Sequence, residues 1–123
     1  MASLVIERDE LVVRLSQLEQ LAAFRGDVHI PLGSVESVSA EEDPYSALRG
    51  IRAPGTGVPR MCAYGVRLMT GGRPDFAAVH GRGPAVRVEL APDAPFGRLL
   101  VSVDDPQAEV AALQARLRRA RAA

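Results

Sequence analysis

Residues 85–90 read Ala-Val-Arg-Val-Glu-Leu, alternating apolar and charged side chains from Val86 onward. A period of two puts Val86, Val88 and Leu90 on one face and Arg87 and Glu89 on the other, the pattern of a half-buried strand. Such a strand must lay its apolar face against a second layer, and the C-terminus supplies one. Asp104-Asp105-Pro106 opens a helix. Either aspartate can cap it, and proline fits the first turn, where its missing N–H is not needed. Val110, Leu113 and Leu117 then form an apolar stripe at i, i+3 and i+7. Acid at the N-terminal end and Arg116, Arg118 and Arg119 at the C-terminal end both suit the helix dipole. The stripe is expected to lie on the sheet.

Upstream the pattern is mostly strand. Residues 4–6 and 11–15 are apolar and β-branched around the polar turn Glu7-Arg8-Asp9-Glu10, which reads as a hairpin. Ser16 and Glu19 fit a capping box for a short helix, with Leu18, Leu21 and Ala22 at helical spacing. Gly26 is placed to end that helix in a left-handed turn. Residues 28–32 and 34–39 read as short strands, and the broken alternation of Val35 and Val38 implies a bulge at Glu36-Ser37. Asp43-Pro44 opens a helical turn. Residues 49–60, RGIRAPGTGVPR, hold three glycines and two prolines and read as a loop. Further strands are expected at 61–69, 75–80 and 98–103, the last pairing with 85–90.

This order predicts a β-rich α+β fold. Its simplest form is a partly open barrel of about seven strands, with a short inserted helix and a C-terminal helix capping the open end. The chain has 123 residues, the size of one domain, and a single domain over residues 1–121 is expected. The 15 acidic and 15 basic residues cancel, so no global field draws in nucleic acid or anionic lipid. All the basic residues are arginine, which excludes lysine chemistry such as a Schiff base or a phosphate-loop lysine. Cys62 is the only cysteine, so no internal disulfide can form and a reducing cytoplasm fits. MASLVIERDE has no apolar signal-peptide region, and no apolar run approaches the roughly 18 residues of a membrane span. A cytoplasmic location is the expectation.

The strand and helix order resembles bacterial pleckstrin-homology-like (PH-like) domains. The phrases LRGIRAPGTGVP, PDFAAVHGRGPAVRVEL and RLLVSVDDP are similar to those of a group of uncharacterised actinobacterial proteins. The likeness covers residues 28–115 and lies in strand pattern and loop phrases, without a catalytic motif. It implies a binding scaffold, since PH-like folds generally bind lipids, peptides or other proteins. Lipid-binding members carry clustered bases around the first hairpin loop. Here that loop, Glu7-Arg8-Asp9-Glu10, carries three acids and one base.

The segment 49–60 is the main candidate site. Its glycines permit close backbone approach to a ligand, and Arg49, Arg52 and Arg60 could grip an anion in bidentate fashion. The bland alternative pairs these arginines with Glu41, Glu42 or Asp43. His29 and His80 lack metal-ligand spacing to any acid, so no metal or cofactor is expected. Cys62 reads as a buried thiol. Ser102 lacks an identifiable base, and Asp104 and Asp105 serve as helix caps. Two function classes follow. The first is a non-enzymatic binding or scaffolding domain for a protein partner or an anionic ligand. The second is a small-molecule-binding protein or small enzyme with a pocket assembled from separate strands. Self-association is a further option, because an incompletely closed barrel leaves strand edges to cover.

Overall fold

The hairpin and the capping box form where their residues place them. The structure, a computed structural model, describes residues 2–23, 25–69 and 71–122, and side chains at all of these except residues 52–56 and 122. Strands β1 (Ser3–Glu7) and β2 (Glu10–Arg14) pair in antiparallel register, and β3 (Val28–Pro31) joins β2 on its other side. Between them, α1 (Gln17–Ala23) starts with the reciprocal cap. Ser16 Oγ accepts from Glu19 N at 3.2 Å, and Glu19 Oε1 accepts from Ser16 N at 2.9 Å. Glu19 Oε2 also accepts from Ala2 N at 3.0 Å, so this buried carboxylate ties the N-terminus to α1. The expected apolar face of α1 is not the one that is buried. Leu18 and Leu21 are exposed, while Glu19 and Ala23 face inward. Gly26 is not left-handed either.

The second sheet is larger. Its strands are β4 (Val35–Glu41), β5 (Ile51–Val58), β6 (Cys62–Leu68), β7 (Asp75–His80), β8 (Ala85–Leu90) and β9 (Arg98–Val101). They lie in the order β4-β8-β9-β7-β6-β5, antiparallel except for β7 against β9. The expected bulge in β4 is present as a register shift between Val35 and Ser37. Nine strands are found among the described residues where about seven were expected, and the sheet stays open. One addition is β5, which occupies the segment read as a loop. Glycine and proline argue against a central strand, but β5 lies at an edge. Its ladder with β6 shifts register between Arg52 and Gly55, around Pro54, where no N–H can be offered.

The core lies between the two sheets and under α3 (Pro106–Ala122). Leu4, Leu11, Val13, Val28 and Ile30 of the small sheet meet Phe76, Val86, Val88 and Leu99 of the large one. Val110, Leu113 and Leu117 of α3 are buried in the same cluster, as the alternation and the stripe predicted. Asp105 caps α3, its Oδ1 accepting from Ala108 N at 3.2 Å. The helix also seals the β4 edge. Gln114 Nε2 donates to Val38 O at 2.7 Å, and Arg121 donates to Val35 O at 2.7 Å and Glu36 O at 3.1 Å. No helix is long and apolar enough to cross a membrane among the described residues. Val88 is fully buried at the centre of this layer. Val88→Asp should cost on the order of 4 kcal/mol, because an unpaired carboxylate would be buried. A urea midpoint equal to that of the parent would refute the core assignment.

Candidate functional site

Strands β4 and β5 are consecutive along the chain, yet they form opposite edges of the large sheet. Residues 42–50 must therefore cross five interstrand spacings, about 24 Å. A fully extended link of that size reaches only about 33 Å and loses length wherever it coils. The crossing has room for one helical turn, α2 (Pro44–Ala47), capped by Asp43 with Pro44 in the first turn, as the sequence implied. Tyr45, Ala47 and Leu48 press onto Ala77, Val79 and Leu100 on the face of the sheet away from the main core.

Arginines fasten this strap. Arg49 forms a forked pair with Asp75, Nε to Oδ2 at 2.6 Å and NH2 to Oδ1 at 3.1 Å. Asp75 is buried while the Arg49 side chain is 40% exposed. Gly97 makes room for the pair, since a Cβ there would lie 3.3 Å from both Arg49 NH2 and Asp75 Oδ1. Arg67 donates to Arg49 O at 3.0 Å and Gly50 O at 3.2 Å. Arg98 donates to Ala47 O at 3.2 Å and to Glu89 Oε2 at 2.9 Å. The chain of charge continues to Arg87, which reaches Glu89 at 2.6 Å and Glu41 at 3.0 Å. Burial works to raise the Glu89 carboxyl, but hydrogen bonds from Arg87 and Arg98 outweigh it and hold the group below its usual range.

The three arginines singled out in the sequence thus occupy different situations. Arg49 is committed to Asp75, not to the Glu41–Asp43 stretch. Arg60 sits at the β5–β6 turn with a φ of 58°, a left-handed value that favours glycine. It reaches Asp43 at 3.5 Å and Ser46 Oγ at 3.4 Å, and its side chain is 69% exposed. The Arg52 backbone stands opposite Arg67 in the β5–β6 ladder, and its side chain lies outside the described residues. Arg82, in the turn between β7 and β8, shares a concavity of about 350 Å³ with Arg60, Asp43 and Tyr45. A second hollow of about 300 Å³ lies beside it, lined by Tyr45, Leu48, Arg60, Cys62 and Arg67. Both lie at the lower end of the size range of ligand pockets.

The remaining candidates have structural partners. His29 meets Glu10 at 3.4 Å on the surface. His80 stacks on Tyr64 with ring centroids 6.4 Å apart. Burial first, and the charge of Glu19 second, push the Tyr64 hydroxyl up to about 12. Ser102 Oγ accepts from His80 N at 3.1 Å and donates to His80 O, which ties β9 to β7. Cys62 is half-buried and stands opposite His80 in the ladder, rather than fully buried as expected. Among the described residues no group of three His, Cys, Asp or Glu could hold a metal ion. No protein-family model, curated protein or solved structure matches the chain.

Arg49→Ala should cost about 2–3 kcal/mol by leaving Asp75 buried and unpaired, less than a fully enclosed pair because water reaches Arg49. Arg49→Lys should recover only part of the loss, since the fork is gone. Equal melting temperatures for parent and Arg49→Ala would refute the strap assignment. Glu89 gives a pH signature. A carboxyl held low stabilises the fold above its unfolded pKa, and the contribution is lost as pH falls through the folded value. Stability should fall as pH drops below the ordinary glutamate range, and the slope should flatten in Glu89→Gln. Urea midpoints across that range are the measurement.

Proposed function

We propose that this chain is a non-enzymatic binding domain of PH-like architecture, docking an acidic segment of a partner protein on the surface made by α1 and the β5–β6 hairpin. The observation that carries this reading is where apolar surface is left uncovered. Among the described residues the exposed large hydrophobics are Leu18, Leu21, Ile51, Val58, Met61 and Leu68. All six lie on α1 or the β5–β6 hairpin, and α1 touches both of those strands. Scattered exposed leucines need no explanation, but their concentration on adjoining elements marks an interaction surface.

Charge chooses the partner. Val58 shares one hollow with Arg60, and Arg82 lies across the adjoining one with no ion pair or hydrogen bond among the described residues. The contact between Arg60 and Asp43 is long and wet, so a carboxylate from outside can compete for it. Apolar contact and arginine recognition then meet at the tip of the β5–β6 hairpin, which unites the protein-partner and anionic-ligand expectations. Arg52 joins the proposal through the place of its backbone in β5.

The test is peptide display on the immobilised parent, counter-selected on Met61→Asp/Leu68→Glu. Both parent residues are exposed, so the double variant should fold. Selection should enrich sequences that mix acidic and apolar residues, and these should bind Arg60→Glu at least tenfold more weakly. Arg52→Lys should weaken them as well if the guanidinium fork matters, and leave them unchanged if only charge does. Enrichment of basic sequences, binding indifferent to Arg60, or binding only to anionic vesicles would reject the reading.

A further inference from the structure

Four strand edges bound the two sheets, and three of them are protected. The β4 edge is covered by Gln114 and Arg121 of α3. The β5 edge carries Pro54 and a register shift, both of which discourage strand addition. The β3 edge is four residues long and ends in Pro31. The remaining edge, β1, has neither proline nor glycine, and it keeps regular register with β2 at all five positions. On the side away from β2, its backbone groups have no strand partner among the described residues.

The β1 edge is open to solvent but not isolated. It borders a groove of about 270 Å³ whose opposite wall is α3. Leu4, Ile6 and Leu113 supply the apolar floor, and the rim carries Glu109, Arg116 and Arg119. These three rim residues share one helix face at i, i+7 and i+10. Arg116 and Arg119 are exposed and make no ion pair or hydrogen bond among the described residues. By contrast, Arg14, Arg49, Arg67, Arg73, Arg87, Arg98 and Arg121 are held by carbonyls or carboxylates. Glu109, at the other end of the rim, is part-buried, and burial first and Asp105 second push its carboxyl up.

We infer that the groove between β1 and α3 receives an extended peptide as an added strand, with acidic side chains of that peptide held by Arg116 and Arg119. Backbone pairing with β1 supplies affinity without sequence preference, and alternate side chains drop onto the apolar floor. The charged rim supplies the preference. Two free cations near one end favour acid there, and Glu109 disfavours acid at the other, so the rim also sets which way the peptide runs. None of the lining residues belongs to the α1 and β5–β6 surface, and the two sites are independent.

The experiment uses three fluorescein-labelled octapeptides with the full-length protein. One alternates valine with glutamate, one alternates valine with lysine, and one is the acidic peptide N-methylated at alternate residues. The acidic peptide should bind at least tenfold more tightly than the basic one. Hydrogen exchange at Leu4 to Ile6 should slow at least tenfold when it binds. N-methylation should abolish binding, because it removes the strand hydrogen bonds without touching the protein. Arg116→Glu/Arg119→Glu should invert the preference, and these exposed side chains have no partner whose loss could unfold the chain. Arg60→Glu should leave all three affinities unchanged. Equal binding of acidic and basic peptides, or indifference to N-methylation, would overturn the inference. So would sensitivity to Arg60→Glu alone, which would place the peptide on the other surface. A peptide-free dimer in sedimentation with β1 already protected would assign the groove to a second copy and overturn it too.

Discussion

The short link between β4 and β5 is the constraint on which the large sheet depends. Two strands consecutive in the chain end up at opposite edges, with four strands between them. The link has almost no slack, so it must cross close to the sheet and cannot bulge into solvent. It therefore brings Tyr45, Ala47 and Leu48 onto Ala77, Val79 and Leu100, giving the sheet a second small core on its otherwise polar face. The same tautness explains why α2 is a single turn and why arginines from β6 and β9 can reach the backbone of the strap. Where the strap ends, Gly50 takes a φ of 82°, and a Cβ there would stand 2.4 Å from Leu68 O. Only glycine lets the chain turn into β5 so close to β6.

With the strap in place, the edges sort themselves by what covers them. α3 lies against β4 and β8, where its buried stripe and its polar side chains act together. The stripe drives the docking through burial. Gln114 and Arg121 then satisfy carbonyls that β4, as an edge strand, would otherwise leave unpaired. The far edge has no such cover, and proline and a bulge take its place. An open sheet can discourage edge-to-edge pairing in this way without closing into a barrel. The β1 edge is treated differently from both, bordered by a groove rather than sealed or blunted.

Local chemistry was legible in the sequence, and long-range placement was not. The capping box at Ser16 and Glu19, the cap at Asp43, the bulge in β4 and the alternation at 85–90 each depend on a few neighbours, and each is present. β5 failed because glycine and proline content describes an average environment, whereas an edge position tolerates both. Leu18 and Leu21 misled for a related reason: helical spacing identifies a face but not whether that face has a partner. The parallel pairing of β9 with β7 leaves no periodic trace, because it depends on which strand slips between which. At the candidate site, Arg49 looked available because its partner, Asp75, lies 26 positions away across a crossing that composition cannot reveal.

That error has a physical core, which is how arginine is used in a chain without lysine. Arg73 donates to four carbonyls, those of Leu90, Ala91, Ala94 and Phe96, and so closes the β8–β9 turn. Arg67 and Arg121 each grip two carbonyls, and Arg98 bridges a carbonyl and a carboxylate. Five N–H donors in a fixed plane suit this task, and an ammonium group cannot span the same carbonyls. Loops and short strands leave many carbonyls unpaired, so arginine clusters beside glycine and proline arise from architecture as readily as from ligand binding. What separates the two uses is donor satisfaction. An arginine whose donors are filled from within the chain is holding the fold together. Arg82, Arg116 and Arg119 have no internal bond among the described residues, so recognition chemistry is to be sought around them rather than where arginines are most numerous in sequence.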